Sequence, residues 1–405
     1  MSSNTSSTEQ PVAFEKQAFF APAPEPPTAL GRHRQLAPLA GVHISPFILG
    51  GSLLGEAWSA AGVGDQTREN SFALLDAFFD AGGNSVDTAN SYQNGESEEI
   101  IGEWMENRGN REQMVIATKY TEHWNRGKDI PQRTHYVGNN VKSLQVSLDA
   151  SLKKLRTSYI DILYIHAWDF TTGIPEVMNA LHHLVAQGKV LYLGTPMQGI
   201  SDAPAWVVTE ANTYAKLTAK TPFSIYQGAW NVFQRDFERE IIPMARAHGL
   251  ALAPWNVLAG GKIRTDAEEE ARKQSKEKGR SFFFGNPQFE RTPEERKVCE
   301  ALQEVAKQVG AKSIRAVAIA YLMQKTPYVF PIIGARKIEQ FMENLEALQI
   351  VLSDEQIKYI ESILPFDVGF PNNLIGNGTA YRFEQLTAAR FDKWPVQQAI
   401  RPEKL

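Results

Sequence analysis

A single cysteine, Cys299, in 405 residues excludes an internal disulfide and leaves no thiol pair for a C-x-x-C motif or a Cys/His cluster, so no metal site is expected. That usage fits a cytoplasmic, reducing compartment. Basic excess is also missing, since 42 Lys and Arg stand against 46 Asp and Glu, a formal net charge of -4. Holding a phosphate backbone or an anionic bilayer takes surplus cations, so neither nucleic acid nor membrane is an expected partner. No apolar run approaches the roughly 18 to 20 residues that cross a bilayer. The opening MSSNTSSTEQ has none of the apolar stretch of a signal peptide. Nor does a G-x-G-x-x-G follow the first apolar run, as it often does in a doubly wound nucleotide-binding sheet.

What is present is a globular composition, 43% hydrophobic and 22% charged. Residues 1–30, rich in Ser, Pro and Ala, read as a disordered tail, and residues 365–405, beginning PFDVGFPNNLIGNG, as an irregular C-terminal extension. Between them, over 31–364, short apolar runs alternate with segments of helical period, the pattern of βαβ units. The runs are FILGG (47–51), NSVDT (84–88), MVIATK (114–119), DILYIH (161–166), KVLYLG (189–194), FSIYQ (223–227), LALAPW (250–255) and YVFPII (328–333). Eight of them predict a closed (β/α)8 barrel, the TIM-barrel form of an α/β fold, with an open sheet of five to seven strands as the competing architecture. Val141, Leu144, Leu148, Leu152 and Leu155 form one helical stripe. Ser97 reads as the cap of another helix, one that buries Ile100, Ile101, Trp104 and Met105 behind Glu98 and Glu99. The long interruption 259–292 reads as a loop or lid.

Barrel chemistry sits at the C-terminal ends of the strands. There Asp87 closes the second run, Tyr92 follows it, Lys119 closes the third and His166 the fourth. An ammonium favours a phenolate, so Lys119 tunes Tyr92 as an acid, and Asp87 keeps that ammonium charged. His166 then orients a carbonyl oxygen, and a proton delivered to it is general acid catalysis. Singly, each residue has an ordinary structural alternative: an Asx turn, a solvated strand end, a core histidine. Spacing alone names no hydride donor.

The strings NSVDTANSYQNGESEEIIG, VIATKY, DILYIHAWD, KVLYLG, SDAPAWVV, YQGAWNVFQRDFEREIIPMARAHGLALAPW and PIIGARKIEQFMENLEAL resemble the aldo-keto reductases over about residues 45–370, most closely the fungal aryl-alcohol dehydrogenase and norsolorinic acid reductase group. The resemblance implies Tyr92 as proton donor, Asp87 and Lys119 as its tuning pair and His166 as the substrate-orienting group. It implies NADPH/NADP+ as cofactor, with Asp87, Ser201, Asp202 and Gln227 at the nicotinamide end, Trp255 stacked on its ring, and Asn256, Val257, Leu258, Ala259, Gly260 and Lys262 along the pyrophosphate. In the last string Arg336, Gln340 and Asn344 lie four apart on one face, and together with Gly334 they read as the seat of the adenosine 2'-phosphate. An aromatic aldehyde or ketone is the implied substrate, with Trp124 and Trp168 beside His166, and the setting implied is secondary metabolism.

One departure stands out. Thr195–Gly199 (TPMQG) separates the fifth run from the Ser201–Asp202 pair that the family places directly after it. The insertion either displaces that pair or bulges outward. Two other functions compete: a regulatory or inactive nicotinamide-binding barrel like the potassium-channel β subunits, and a glycosidase, for which Asp87 and Asp169 would be the carboxylates. The sequence does not indicate an oligomeric state.

Overall fold

Eight short runs of Val, Ile, Leu, Ala and Tyr, buried on both faces, can satisfy their backbone only by pairing with one another inside a shell of helices. The computed structural model, which describes residues 21–59, 66–126, 128–195, 203–274, 290–382 and 384–402, shows that arrangement. An antiparallel hairpin, β1 (Arg34–Ala37) and β2 (Ala40–Ile44), comes first. The barrel strands follow as β3 (Ile48–Gly50), β4 (Ser85–Asp87), β5 (Val115–Tyr120), β6 (Ile160–Ile165), β7 (Val190–Thr195), β8 (Phe223–Ala229), β9 (Ala251–Trp255) and β10 (Ile332–Ile333). All neighbours in the order β10-β3-β4-β5-β6-β7-β8-β9 pair in parallel. The ring closes where Leu252 N donates to Tyr328 O and Phe330 N to Leu252 O, both at 2.8 Å. Each of the eight predicted runs is a strand.

Alternation along the strands divides the interior. Val115 and Ala117 precede Lys119, Ile162 and Tyr164 precede His166, Ile225 precedes Gln227, and Ala251 and Ala253 precede Trp255, in steps of two. The apolar members of these series pack with Leu36, Ala37, Ala40 and Ile44, so the hairpin plugs the mouth at the strands' N-terminal ends. Their polar successors emerge at the opposite mouth. The intervening residues Ile116, Tyr120, Leu163 and Ile165 join the larger core beneath the helices.

The helices follow their local signals with some corrections. In order they include α1 (Arg68–Asp80), α2 (Glu96–Arg108), α3 (Val141–Lys154), α4 (Ile174–Ala186), α5 (Ala205–Leu217) and α6 (Ile241–His248). Ser97 does not cap α2: the N-cap is Gly95, in the left-handed region at φ 99°, and the Ser97 hydroxyl inside the first turn donates to Gly51 O. Ile100, Ile101, Trp104 and Met105 are buried as predicted. On α3 the stripe holds at Leu144, Leu148 and Leu155, whereas Val141 in the first turn is 47% exposed.

The interruption 259–292 is partly helical, with α7 at Asp266–Gln274, while residues 275–289 of that predicted lid lie outside the described set. Helix α8 (Pro293–Val309) has a capping box between Thr292 and Glu295, Pro at its start and Gly310 at φ 74° after its end. α9 (Ile314–Lys325) follows. α10 is Ile338–Asn344, so Arg336 precedes the helix rather than standing on its face.

At the chain ends, Thr28 Oγ1 donates to Ala81 O and Leu30 is fully buried, so packing begins before residue 31. The C-terminal segment runs over the surface, where Asp367 O and Val368 O accept from Arg239, and Gln397 reaches Tyr328 Oη.

Candidate active site

At the rim, Lys119 Nζ directs its three donors at Asp87 Oδ1 (2.6 Å), Thr88 O (2.7 Å) and Tyr92 Oη (3.2 Å). Lysine has no acceptor, so the phenol oxygen receives this bond and keeps its own proton to give. Asp87 is held from its other side, Oδ2 accepting from Gln227 Nε2 at 2.9 Å. Lys119 is fully buried and Asp87 nearly so. Burial pushes the Asp87 carboxyl up and the Lys119 ammonium down, and the charge each presents to the other opposes both shifts. Tyr164 also has its ring 5.9 Å from Lys119 Nζ, but burial pushes its phenol well above the usual range. Of these two tyrosines, Tyr92 is the one whose hydroxyl oxygen accepts from the ammonium.

The chain aims Tyr92 through a strained turn. Gln93 and Asn94 both adopt left-handed conformations, at φ 52° and 55°. The Gln93 side chain fixes them, donating to Ser52 O at 2.9 Å and accepting from Trp58 N at 2.8 Å. Glu96 Oε2 accepts from Glu56 N and Ala57 N, stitching the loop after β3 to the start of α2. This brings Trp58 edge-on to Tyr92, with ring centroids 6.4 Å apart. On the other side His166, fully buried, meets the Tyr92 ring at 5.6 Å. The four predicted polar groups thus share one rim.

Trp124 packs against the Tyr136 ring and lies beneath the ammonium groups of Lys128 and Lys154, while Trp168 is buried in the main core. Asp169 serves a loop: although burial works against its charge, bonds from Asn139 N, Thr171 N, Thr172 N and Thr172 Oγ1 hold its carboxyl below the usual range. A proton-donating glycosidase acid has the opposite character.

Beside the rim opens a cavity of about 680 Å³. Its lining includes Leu53, the predicted Asn256, Val257, Leu258, Gly260, Gly334, Arg336, Gln340 and Asn344, Gly261 inside the predicted pyrophosphate loop, and three residues the sequence reading passed over: Arg264, Arg272 and Arg315. The lining carries four guanidinium groups and two carboxylates; Arg315 pairs with both carboxylates, Glu268 and Glu343, and Arg264 pairs with Glu269, so cationic groups outnumber the carboxylates around the cavity, a balance suited to an anion. Ala259 lies in the 3-10 turn Ala259–Gly261 that borders the cavity. Lys262 is drawn aside into an ion pair with Glu295 at 2.7 Å. Trp255 ends β9, its indole Nε1 buried with no partner among the described residues; Thr195 Oγ1, ending β7, is alike. Ser201 and Asp202 lie outside the described residues, as does the predicted insertion beyond Thr195.

Trp58, Glu122, whose carboxylate lies 3.9 Å from His166 Nδ1, and three of the four cavity arginines, Arg264, Arg272 and Arg315, are the site residues sequence reasoning missed. Trp58 had a signal available, as an aromatic in the loop after the first barrel strand.

Comparison with known proteins gives the lineage. Residues 46–365 match the family model described as "Aldo/keto reductase family". "Aryl-alcohol dehydrogenase [NADP(+)]" of Phanerodontia chrysosporium is 59% identical over 95% of this chain and 100% of its own length. "Aldo-keto reductase ausK" of Aspergillus calidoustus is 49% identical over 88% of each chain, and "Norsolorinic acid reductase A" of Aspergillus parasiticus 46% over 94% and 96%. A match of that extent, spanning the very strands that carry the four polar groups, makes this chain a member of the aldo/keto reductase family.

Proposed function

We propose that the protein is an NADPH-dependent oxidoreductase that reduces an aromatic aldehyde or ketone to the alcohol, or runs the reverse, in a cytoplasmic pathway of secondary metabolism. The observation that carries this reading is the triple donation of Lys119 to Asp87, Thr88 and Tyr92, which leaves a phenol as proton donor on an ammonium. The cavity suits the cofactor: Gly260, Gly261 and Gly334 present backbone without side chains, and the guanidinium excess suits a pyrophosphate and a 2'-phosphate. Arg336, Gln340 and Asn344 would hold the 2'-phosphate end, Asn256 to Gly260 the pyrophosphate, and Trp255, Gln227 and Asp87 the nicotinamide end. Bound there, the reduced nicotinamide supplies a hydride to carbon.

The chain's own groups do the rest. Tyr92 donates its proton to the carbonyl oxygen, Lys119 stabilises the phenolate left behind, and Asp87 keeps Lys119 charged. His166 aligns the oxygen within reach of Tyr92. Trp58 supplies an aromatic wall beside Tyr92. In the alcohol direction the same phenolate takes the hydroxyl proton.

Fluorescence titration with NADPH, followed by turnover on a panel of aromatic aldehydes and ketones, tests this reading. Tyr92→Phe is expected to bind NADPH with unchanged affinity and to lose reduction by at least about 10²-fold. Full turnover in that variant would remove Tyr92 from the role.

A further inference from the structure

The histidine at the rim faces more than the phenol. Glu122, in the loop directly after β5, places its carboxylate oxygen 3.9 Å from His166 Nδ1. That carboxylate is anchored from the Tyr92 loop, because Ser91 Oγ donates to the same oxygen at 2.9 Å. Its backbone N–H donates to Tyr120 O and Thr121 Oγ1, and its ring is fully buried. The titratable groups around it are Tyr92 from the loop after β4 and Glu122 from the loop after β5, with Lys119 and Asp87 linked through Tyr92.

We propose that Glu122 is a positioning residue for His166: it anchors the Nδ1 edge and so sets the protonation state in which Nε2 meets the substrate oxygen. The inference rests on the carbonyl-reductase reading only for its kinetic consequence. Which imidazole nitrogen carries the proton is decided by what the other one faces. A carboxylate at Nδ1 favours a proton there. When the ring is neutral, Nε2 is then an acceptor, suited to an alcohol hydroxyl. When the ring is an imidazolium, which the carboxylate also stabilises, Nε2 is a donor, suited to a carbonyl oxygen. A separation of 3.9 Å is an ion-pair distance and longer than a hydrogen bond. Contacts of this kind tighten when substrate closes the site.

The first test uses the cofactor-free, full-length protein and does not depend on catalysis. Imidazole 15N resonances of His166, assigned with His166→Asn, are followed through a pH titration in the parent, Glu122→Gln and Glu122→Asp proteins. Glu122→Gln is expected to move the His166 midpoint to lower pH by about 0.8 unit or more, the effect of removing a unit charge 3.9 Å away even at the dielectric of water. It also depletes the Nδ1–H tautomer. Glu122→Asp, which keeps the charge, retains most of the parent behaviour.

An unmoved midpoint and tautomer in Glu122→Gln overturn the proposal, whatever the protein reduces. The second test is kinetic: in Glu122→Gln the limb of the kcat/KM profile assigned to His166 moves down in pH while the NADPH Kd stays unchanged. A lower kcat with an unshifted limb assigns Glu122 to loop packing alone and equally overturns the inference.

Discussion

At the scale of the residue, the candidate site turns on a fully buried lysine paired with a carboxylate. Burial works against the Lys119 ammonium, and Asp87, Thr88 O and Tyr92 Oη together replace its hydration. Removing the counter-charge leaves a buried cation unpaired, which typically costs about 3 to 5 kcal/mol. Asp87→Asn is therefore expected to lower stability by that order in chemical denaturation and to slow carbonyl reduction about 10²-fold or more. A variant of parental stability and rate would show that Thr88 O and Tyr92 suffice. Asp87, Lys119 and His166 were legible because alternation along a barrel strand delivers its last inward residue to the rim, and Tyr92 because it follows one of them within five positions. Trp58 and Glu122 also stand in loops that follow barrel strands, but their place at the site comes from bonds to residues remote in sequence, Trp58 N to Gln93 and Ser91 to Glu122, which no local pattern reveals.

At the scale of the element, two stitched segments present the site. The turn at Gln93 and Asn94 keeps its left-handed backbone through the Gln93 side chain, so Gln93→Ala is expected to release both that turn and the loop bearing Trp58. Losing a buried bond on each side costs about 1 to 3 kcal/mol. The kinetic signature is a reduced kcat with NADPH affinity intact, checked by titration beside turnover.

The second segment is α7, whose residues Glu268, Ala271 and Arg272 line the cavity. Glu269, 4% exposed, ties it to the segment before α8 through Arg291 Nε at 2.7 Å and to the segment before α7 through Arg264 at 3.3 Å. Although burial opposes it, bonding to Arg291 and Arg264 pulls the Glu269 carboxyl down to about 2. A carboxylate with a depressed folded-state value contributes stability that is fully present above its unfolded value, near 4.5, and is lost as pH falls towards about 2. The protection of α7 amides, the intrinsic exchange rate at each pH divided by the observed rate, is thus expected to fall between those limits. Glu269→Gln should show the low protection already at neutral pH, and parental protection in that variant would refute the link. Sequence reading took 259–292 as one loop or lid because Lys, Glu and Gly dominate it, whereas the helical portion is held by ion pairs that no periodicity reveals.

For the whole molecule, the barrel separates stability from chemistry along its axis. All eight strands were legible from period and spacing, because a parallel strand buried on both faces must be a short apolar run. The β1–β2 hairpin was not: RQLA and AGVHI are short, mixed and close to a tail, and the reason for their form lies in the barrel mouth they fill. Leu36, fully buried there, packs among the N-terminal ends of strands whose C-terminal ends carry the site. Leu36→Ala is expected to cost about 2 to 5 kcal/mol by opening a cavity in the plug. Lys119, His166 and Gln227 stand several residues further along the same strands and keep their bonds to Tyr92, Tyr120 and Asp87, so kcat and KM of the folded fraction should stay near parental values at a temperature well below the lowered Tm. Thermal unfolding followed by steady-state kinetics on one sample checks both halves. Equal losses of Tm and of kcat would mean that the plug sets the register of the strands as well as their stability, since sliding Val115 or Ile162 along the barrel axis carries Lys119 and His166 with it.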